Sequence, residues 1–175
     1  MLFRAAADGT SPQWTFKPMM EIFCANAEDA PSLPGAYVLA IEITKPVTVM
    51  LPGKPAASLS SGRYLYCGSA KGPGGIRARL GRHMGRDKSL HWHVDRLTES
   101  GTVLGAWVFP GGDECDLVVA LSSLPAPIAG FGSTDCTRCR AHLLRWPEAM
   151  QSIPVVIGQG RDGNERSLRL RILRI

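Results

Sequence analysis

The sequence predicts a mixed α/β domain of the α+β type, with an additional segment at each end. The chain has 175 residues, of which 45% are hydrophobic, and this is enough to bury a core of its own. Short β-branched segments bounded by Gly and Pro alternate with segments whose apolar residues recur at helical spacing. We expect a domain over residues 34–146, an N-terminal extension over 1–33 and an appended β-hairpin over 147–175.

The predicted domain begins with strand-like segments. Residues 37–43 are apolar and β-branched, a Lys-Pro pair interrupts the pattern, and residues 47–51 resume it, which predicts a β-hairpin. Residues 63–67 form another short strand, which ends at Gly68. The glycine-rich segment 72–75 then closes this strand-rich part of the chain.

Two helices are expected next. Apolar residues recur at every fourth position from Ile76 to Met84, which predicts an amphipathic helix. Ser89 is a candidate N-cap for a second helix that runs to about residue 99.

One more strand and two short helices complete the predicted domain. Residues 103–109 have the strand pattern, and Asp113 after them is expected to cap a helix. Asp135 or Thr137 is expected to cap a last short helix that ends at Trp146.

Basic residues are concentrated in one part of the chain. The net charge is +5, from 20 basic and 15 acidic residues, and residues 63–96 hold eight of the basic residues against two acidic ones. A basic surface attracts polyanions, so this segment is the candidate phosphate-facing surface.

Hydropathy and cysteine spacing also argue against several classes of protein. No apolar run approaches the roughly 20 residues that a helix needs to cross a bilayer. Residues 1–9 lack the extended apolar core of a secretory signal peptide, so we expect a cytoplasmic protein. The five cysteines are odd in number and only Cys136 and Cys139 are close in sequence, which favours reduced thiols or metal ligands over a disulfide framework.

Short motifs in a defined order carry the functional information. Gly-Ala-Tyr at 35–37 opens the first strand, Tyr-Cys-Gly at 66–68 closes a later strand, and the helix with Arg79 follows. Further motifs are Tyr-x-Tyr-x-Gly-Ser-Ala at 64–70, His-Trp-His-x-Asp at 91–95 and Gly-Phe-Gly-x-x-Asp-Cys at 130–136. Together they resemble the GIY-YIG nuclease superfamily over about residues 34–146, and in particular a branch of it marked by the last three motifs.

This resemblance implies a small central antiparallel or mixed β-sheet flanked by helices, one divalent metal ion and hydrolysis of a phosphodiester. It also implies that Tyr37 and Tyr66, on neighbouring strands, direct both hydroxyls to one water. A metal ion and Arg79 would lower the phenol pKa, which is otherwise too high for a base. The alternative is that both tyrosines are ordinary half-buried strand residues.

The resemblance implies three further catalytic residues. Arg79 lies at the position of the catalytic arginine, and its guanidinium can hold two phosphate oxygens. His83, one helical turn later, is a candidate general base in competition with the tyrosines. Glu114 matches the metal-binding glutamate and would hold Mg²⁺ or Mn²⁺. Related enzymes often add a downstream asparagine, and here Asp135 or Ser133 fills that place, or nothing does.

Nucleic-acid contacts are expected from basic side chains and histidines around this site. Arg82 and Arg86 have a simpler alternative, which is a solvated helix face. His91 shares a helix face with Asp95 and could contact phosphate or orient a site residue. Trp92 is expected in the core, with base stacking as the alternative. The expected contacts are Lys71, Arg77, Arg82, Arg86, His91 and His93.

Three cysteines and one histidine form a second candidate metal site. Cys115, Cys136, Cys139 and His142 have a spacing that could supply the tetrahedral ligands of a structural zinc ion. The alternative is a set of buried reduced thiols.

The predicted function is a divalent-metal-dependent endonuclease that hydrolyses phosphodiester bonds in DNA, either structure-specific or nicking. A second hypothesis is a nucleic-acid-binding module that has lost hydrolysis, and metal-dependent cleavage distinguishes the two. A third is an interaction domain, which predicts no salt-dependent affinity for DNA.

Overall fold

The chain folds around one antiparallel sheet. The computed structural model describes residues 22–86, 88–149, 152–159 and 165–171. The strands in chain order are β1 (Ile22–Cys24), β2 (Gly35–Ile43), β3 (Val47–Val49), β4 (Ala57–Leu59), β5 (Gly62–Ala70), β6 (Thr102–Pro110), β7 (Leu143–Trp146), β8 (Ser152–Gln159) and β9 (Glu165–Arg171). Five of them form the main sheet in the order β1-β6-β2-β5-β7, with every neighbouring pair antiparallel. The predicted α+β class and antiparallel sheet are therefore confirmed.

Three helices flank the sheet: α1 (Gly75–Met84), α2 (His93–Ser100) and α3 (Glu114–Ala120). In the predicted apolar stripe of α1, Ile76 and Leu80 are fully buried and Met84 is partly buried. Asp113 caps α3 as predicted, because its side chain accepts a hydrogen bond from the Cys115 backbone N–H. Among these described elements, no helix is long and apolar enough to span a bilayer.

Strand β2 lies at the centre of the sheet and is covered on both faces. Its residues Tyr37, Leu39 and Ile41 pack in the same core as the apolar residues of α1 and α2. Ala36 and Val38 face the other way, into the core formed with α3. Burial on both faces explains why this segment is almost continuously apolar rather than alternating.

The predicted hairpin of residues 37–51 is wrong. β2 pairs with β5 and β6, whereas β3 pairs with β4 in a separate two-stranded sheet. A strand buried on both faces requires a partner along each edge, and short apolar segments do not indicate which segments those partners are.

Two helix predictions also need correction. The last predicted helix is instead strand β7, which pairs with β5 at the sheet edge. The helix expected from Ser89 begins only at His93. Asp95, at the third helical position, accepts hydrogen bonds from the backbone N–H groups of His91 and Trp92, and these bonds define the N-terminus of α2.

Strand β1, near the N-terminus, belongs to the main sheet, whereas β8 and β9 form a separate two-stranded sheet. Strand β1 lies inside the predicted extension 1–33, yet it pairs with β6, so the sheet begins N-terminal to residue 34. Residues 1–21 of that extension lie outside the described residues. β8 and β9 pair antiparallel with each other within the predicted segment 147–175.

Candidate functional site

A cleft of about 500 Å³ opens where α1, α3 and the segment 121–142 meet the sheet. All five predicted catalytic residues line it, although they are far apart in sequence. Tyr37 comes from β2, Tyr66 from β5, Arg79 and His83 from α1, and Glu114 from α3.

The cleft floor contains a hydrogen-bonded Tyr–His pair. The Tyr37 hydroxyl lies 2.7 Å from His83 Nε2, and both side chains are buried. Tyr37 pairs with Gly68 across β2 and β5, and a Cβ at Gly68 would overlap the Tyr37 ring. The glycine of the Tyr-x-Tyr-x-Gly-Ser-Ala motif therefore makes room for the tyrosine of the neighbouring strand.

Burial controls the protonation of this pair. Burial lowers the pKa of His83 to about 3, and the Asp95 carboxylate only partly opposes this effect, so the imidazole is neutral at physiological pH. Burial raises the pKa of Tyr37 and of Tyr66, and the nearby Arg79 lowers both by less. The surrounding protein groups therefore keep both phenols protonated. The sequence resemblance implies a lowered phenol pKa, but that expectation requires a metal ion as well as Arg79.

Arg79 is held at the mouth of the cleft by Trp92. Its guanidinium carbon lies 4.1 Å from the centroid of the Trp92 ring, and that of Arg82 lies 4.6 Å from the same centroid. Trp92 is 40% exposed, so the prediction that it belongs to the core is wrong. Cation–π contacts of this kind limit the directions in which the Arg79 guanidinium can point.

Asp95 is a site residue that the sequence did not single out as catalytic. It is fully buried behind His83, and its Oδ1 lies 3.9 Å from His83 Nδ1. Burial alone would raise its pKa, but hydrogen bonds from the Trp92 and His91 backbone and from Arg82 lower it further, so the carboxylate is ionised. The His-Trp-His-x-Asp motif was the available signal for this residue.

Three of the arginines expected to contact nucleic acid make hydrogen bonds within the fold. Arg82 donates to Asp95 Oδ2 at 2.7 Å, and so does not form the predicted solvated face. Arg77 donates to the Ala30 carbonyl at 2.7 Å. Arg86 donates to three backbone carbonyls at the end of α2, which are those of Thr98, Glu99 and Gly101.

The other expected contacts lie nearer to solvent. Lys71 and His91 are exposed. Lys71 Nζ lies 3.5 Å from Asp113 Oδ2. His93 is half-buried, and its Nδ1 accepts a hydrogen bond from the Gly132 backbone at 3.3 Å.

Glu114 is a candidate ligand for a hard divalent cation. Its Oε2 is buried and, within the part of the chain that the structure describes, receives no hydrogen bond; the nearest cation is Lys71, at 3.8 Å. Asp135 lines the same cleft, whereas the Ser133 hydroxyl donates to the Arg140 carbonyl. Of the two replacements for the missing asparagine, Asp135 is therefore the one that faces Glu114's cleft.

The four residues of the second candidate site converge as the sequence predicted. One ligand atom from each of Cys115, Cys136, Cys139 and His142 lies within 4.8 Å of the others, and such a group could hold a metal ion. The Sγ atoms of Cys115 and Cys136 are 3.5 Å apart. His142 Nε2 is buried and makes no hydrogen bond to any described residue. Three of these residues also line the cleft, namely Cys115, Cys136 and His142.

Comparison with known proteins assigns a family to this arrangement. Comparison with curated proteins and with solved structures gives no match. A family model described as "Domain of unknown function DUF123" matches residues 36–161, which include the sheet from β2 onward and every residue of both candidate sites. Because the match spans more than half of the chain, this protein belongs to the DUF123 family.

Proposed function

We propose that this protein is a divalent-metal-dependent endonuclease with a GIY-YIG-type active site, hydrolysing phosphodiester bonds in DNA. The observation that carries the proposal is the convergence of Tyr37, Tyr66, Arg79, His83 and Glu114 on one cleft from β2, β5, α1 and α3. The same five residues are the ones that the resemblance of the sequence implies.

The chemistry requires a proton acceptor for the attacking water. Tyr37 and His83 supply one, because the neutral imidazole can accept the phenol proton through the 2.7 Å hydrogen bond while the phenol oxygen accepts a proton from water. Tyr66 lies beside the pair, with its ring centroid 6.3 Å from that of His83, and would orient the same water.

Negative charge that develops on the phosphate requires fixed positive charge. Arg79 can donate two hydrogen bonds to phosphate oxygens. Because its guanidinium already stacks on Trp92, it loses less conformational entropy when these bonds form. Preorganised donors of this kind stabilise the transition state more than the bound substrate.

The residues around Glu114 fit a small divalent cation. Glu114 and Asp135 are oxygen ligands on the same cleft, and the Glu114 Oε2 lacks a hydrogen-bond donor among the described side chains. Bound there, Mg²⁺ or Mn²⁺ would supply positive charge to the phosphate oxygens and favour deprotonation of the nearby water.

The thiol cluster fits a different metal. Three thiolates and one imidazole prefer Zn²⁺ over the hard cations, and a closed set of four protein ligands is typical of structural zinc. We propose that Cys115, Cys136, Cys139 and His142 bind zinc, which would tie the segment 121–142 to α3 beside Glu114.

The main test is cleavage of a panel of labelled duplex, branched, nicked and single-stranded DNAs, with and without Mg²⁺ or Mn²⁺. Wild-type protein should cut at least one of them only with metal. Glu114→Gln should abolish cleavage but retain DNA binding, because it removes the ligand charge and keeps the shape. Asp116→Asn, an exposed position on the same helix, is the matched control and should cut normally. Normal cleavage by Glu114→Gln would refute this metal site.

A nucleic-acid-binding module without hydrolysis is the second candidate. The raised pKa of both tyrosines favours it, because a protonated phenol is a poor base. Salt-dependent DNA binding without cleavage of any substrate, with either metal, would support this candidate.

Elemental analysis tests the zinc proposal separately. Wild-type protein should contain about one zinc per chain, and chelation should lower its Tm. Cys136→Ser should lose the metal, whereas Cys24→Ala, in the core on the other side of the sheet, should retain it. Stable, metal-free wild-type protein would instead identify the cluster as reduced thiols.

A further inference from the structure

Three buried side chains lie in a row behind the cleft. The Tyr37 hydroxyl is 2.7 Å from His83 Nε2, and His83 Nδ1 is 3.9 Å from Asp95 Oδ1. The exposed fractions of the three residues are 2%, 1% and 0%. His83 Nδ1 and Asp95 Oδ1 are therefore shielded from solvent, whereas the Tyr37 side chain lines the cleft.

The two facing atoms of His83 and Asp95 are the unsatisfied ones. His83 Nδ1 and Asp95 Oδ1 are both buried, and neither makes a hydrogen bond within the described part of the chain. The other carboxylate oxygen, Oδ2, accepts from the His91 and Trp92 backbone and from Arg82. Oδ1 is thus the only acceptor of this carboxylate that is available to the imidazole.

The carboxylate decides between two arrangements of the imidazole proton. A neutral imidazole has one N–H donor and one acceptor nitrogen. If Nε2 carried the proton, the Nδ1 lone pair would face the Asp95 carboxylate across 3.9 Å without a donor between them. If Nδ1 carries the proton, it points at Oδ1, and Nε2 is free to accept from Tyr37.

We propose that Asp95 is a positioning residue that selects the Nδ1–H tautomer of His83, making Nε2 the acceptor for the Tyr37 hydroxyl proton. Its role in water activation rests on the proposed nuclease function, whereas the tautomer itself does not. Asp95 contacts no substrate and acts through His83.

The proton balance of the step follows from this arrangement. The water O–H bond breaks as the Tyr37 oxygen takes that proton, the Tyr37 O–H bond breaks, and an N–H bond forms at His83 Nε2. The resulting imidazolium has its Nδ1–H facing the ionised Asp95, which compensates the new charge. The hydroxide formed from water attacks the phosphorus and forms a P–O bond as the P–O bond to the leaving sugar oxygen breaks, and the leaving oxygen takes a proton from solvent water.

Charged and aromatic groups from several elements surround the His83 imidazole. Arg79, Arg82 and Lys88 disfavour the imidazolium, and the Asp95 carboxylate stabilises it. The groups facing the imidazole are Tyr37 from β2, Tyr66 from β5, Arg79 and Arg82 from α1, Lys88 from the following loop, and Trp92 and Asp95 from the start of α2.

The tautomer can be measured without DNA or metal. In full-length protein labelled with ¹⁵N-histidine, the four imidazoles should be resolved, and the His83 signals identified by their loss in His83→Gln. We expect His83 Nδ1 to be protonated and Nε2 to be unprotonated at neutral pH. Protonated Nε2 in the wild type would overturn the proposal, whether or not any variant folds.

Variants then link the tautomer to Asp95. Asp95→Asn, which can present an N–H₂ group to Nδ1, should shift His83 toward the Nε2–H form. Arg82→Gln is the matched control, because it removes a donor to the same carboxylate but keeps Oδ1, and His83 should stay in the Nδ1–H form. An unchanged tautomer in folded Asp95→Asn would refute the assignment.

Cleavage kinetics separate positioning from a structural role. If the wild type cleaves DNA, Asp95→Asn should lower kcat by about 100-fold, as expected for loss of a general base, with little change in KM. The acidic limb of the kcat–pH profile should also move. A loss of kcat with an unmoved acidic limb would indicate a structural effect. Absence of cleavage by the wild type would refute the nuclease and leave the NMR result to decide the tautomer.

Discussion

The cleft has two walls of different construction. One wall consists of β2, β5, α1 and the start of α2, where Tyr37, His83 and Asp95 are buried in the main core. The other is the segment 121–142, which contains no helix or strand. Yet this segment contributes Asp135, Cys136, Arg138 and His142 to the same cleft. Regular structure holds the first wall, and a few specific contacts hold the second.

The contacts of the second wall centre on Phe131 and its neighbours. The Phe131 ring lies edge-on to Tyr66 at 6.3 Å and 5.7 Å from the ring of His93. His142 donates its backbone N–H to the Phe131 carbonyl at 2.8 Å. Gly132 adopts a φ of +70°, and a Cβ there would come within 2.8 Å of the Tyr66 ring. The segment 121–142 therefore packs closely on the first wall through its backbone and one aromatic ring.

The comparison predicts that Phe131→Ala has the largest effect on stability. Phe131 is fully buried, and removing such a ring typically costs about 3–5 kcal/mol. Urea unfolding should show this loss. The variant should also contain less zinc, because the loop that carries Cys136 and Cys139 is then poorly held. Leu80→Ala, a buried residue of the first wall, is the control and should lose stability without losing zinc.

Arg79→Ala tests the chemical contribution of the first wall. Loss of one preorganised donor typically lowers turnover by about 100-fold to 1000-fold, or about 3–4 kcal/mol. Single-turnover cleavage at saturating protein should show this loss, with a much smaller change in affinity. Arg96→Ala removes the same charge from an exposed position of α2 and should leave the rate unchanged. Equal rates for the two variants would remove Arg79 from the catalytic set.

His83→Gln should change the acid dependence of stability. The folded protein keeps the imidazole unprotonated down to about pH 3, whereas the unfolded chain binds a proton near pH 6.5. His83 therefore makes the free energy of unfolding fall by up to about 1.4 kcal/mol per pH unit as the pH drops from 6.5 toward 3. His83→Gln should reduce that slope in urea titrations. An unchanged slope would mean that His83 is protonated in the fold.

Asp113→Ala should have the smallest effect. Loss of an N-cap side chain costs about 1 kcal/mol, because the Cys115 N–H loses its acceptor. Asp116→Ala, exposed in the same first turn, should change stability by less than about 0.5 kcal/mol. Thermal unfolding of the two variants measures the difference. A cap effect confined to α3 should leave the NMR signals of His83 unchanged.

The sequence by itself determined several of the local elements and the residue types of the site. The apolar stripe of α1, the cap at Asp113 and the strand at 102–110 all follow from short-range periodicity and capping chemistry. The five proposed catalytic residues and the four zinc candidates were also named from motifs. These signals are local, because each depends on residues a few positions apart or on a recognisable short pattern.

Only the tertiary structure decided which of these parts meet. Periodicity indicates which faces of a strand are buried but not which strands pair, so the placement of β2 between β5 and β6 was missed. The same holds for polar groups. Asp95 is buried behind His83, and its ion-pair partner Arg82 lies 13 positions away in the sequence. No local sequence pattern predicts this pairing. Long-range burial selects such partners, because an unpaired charge in the core is too costly to remain.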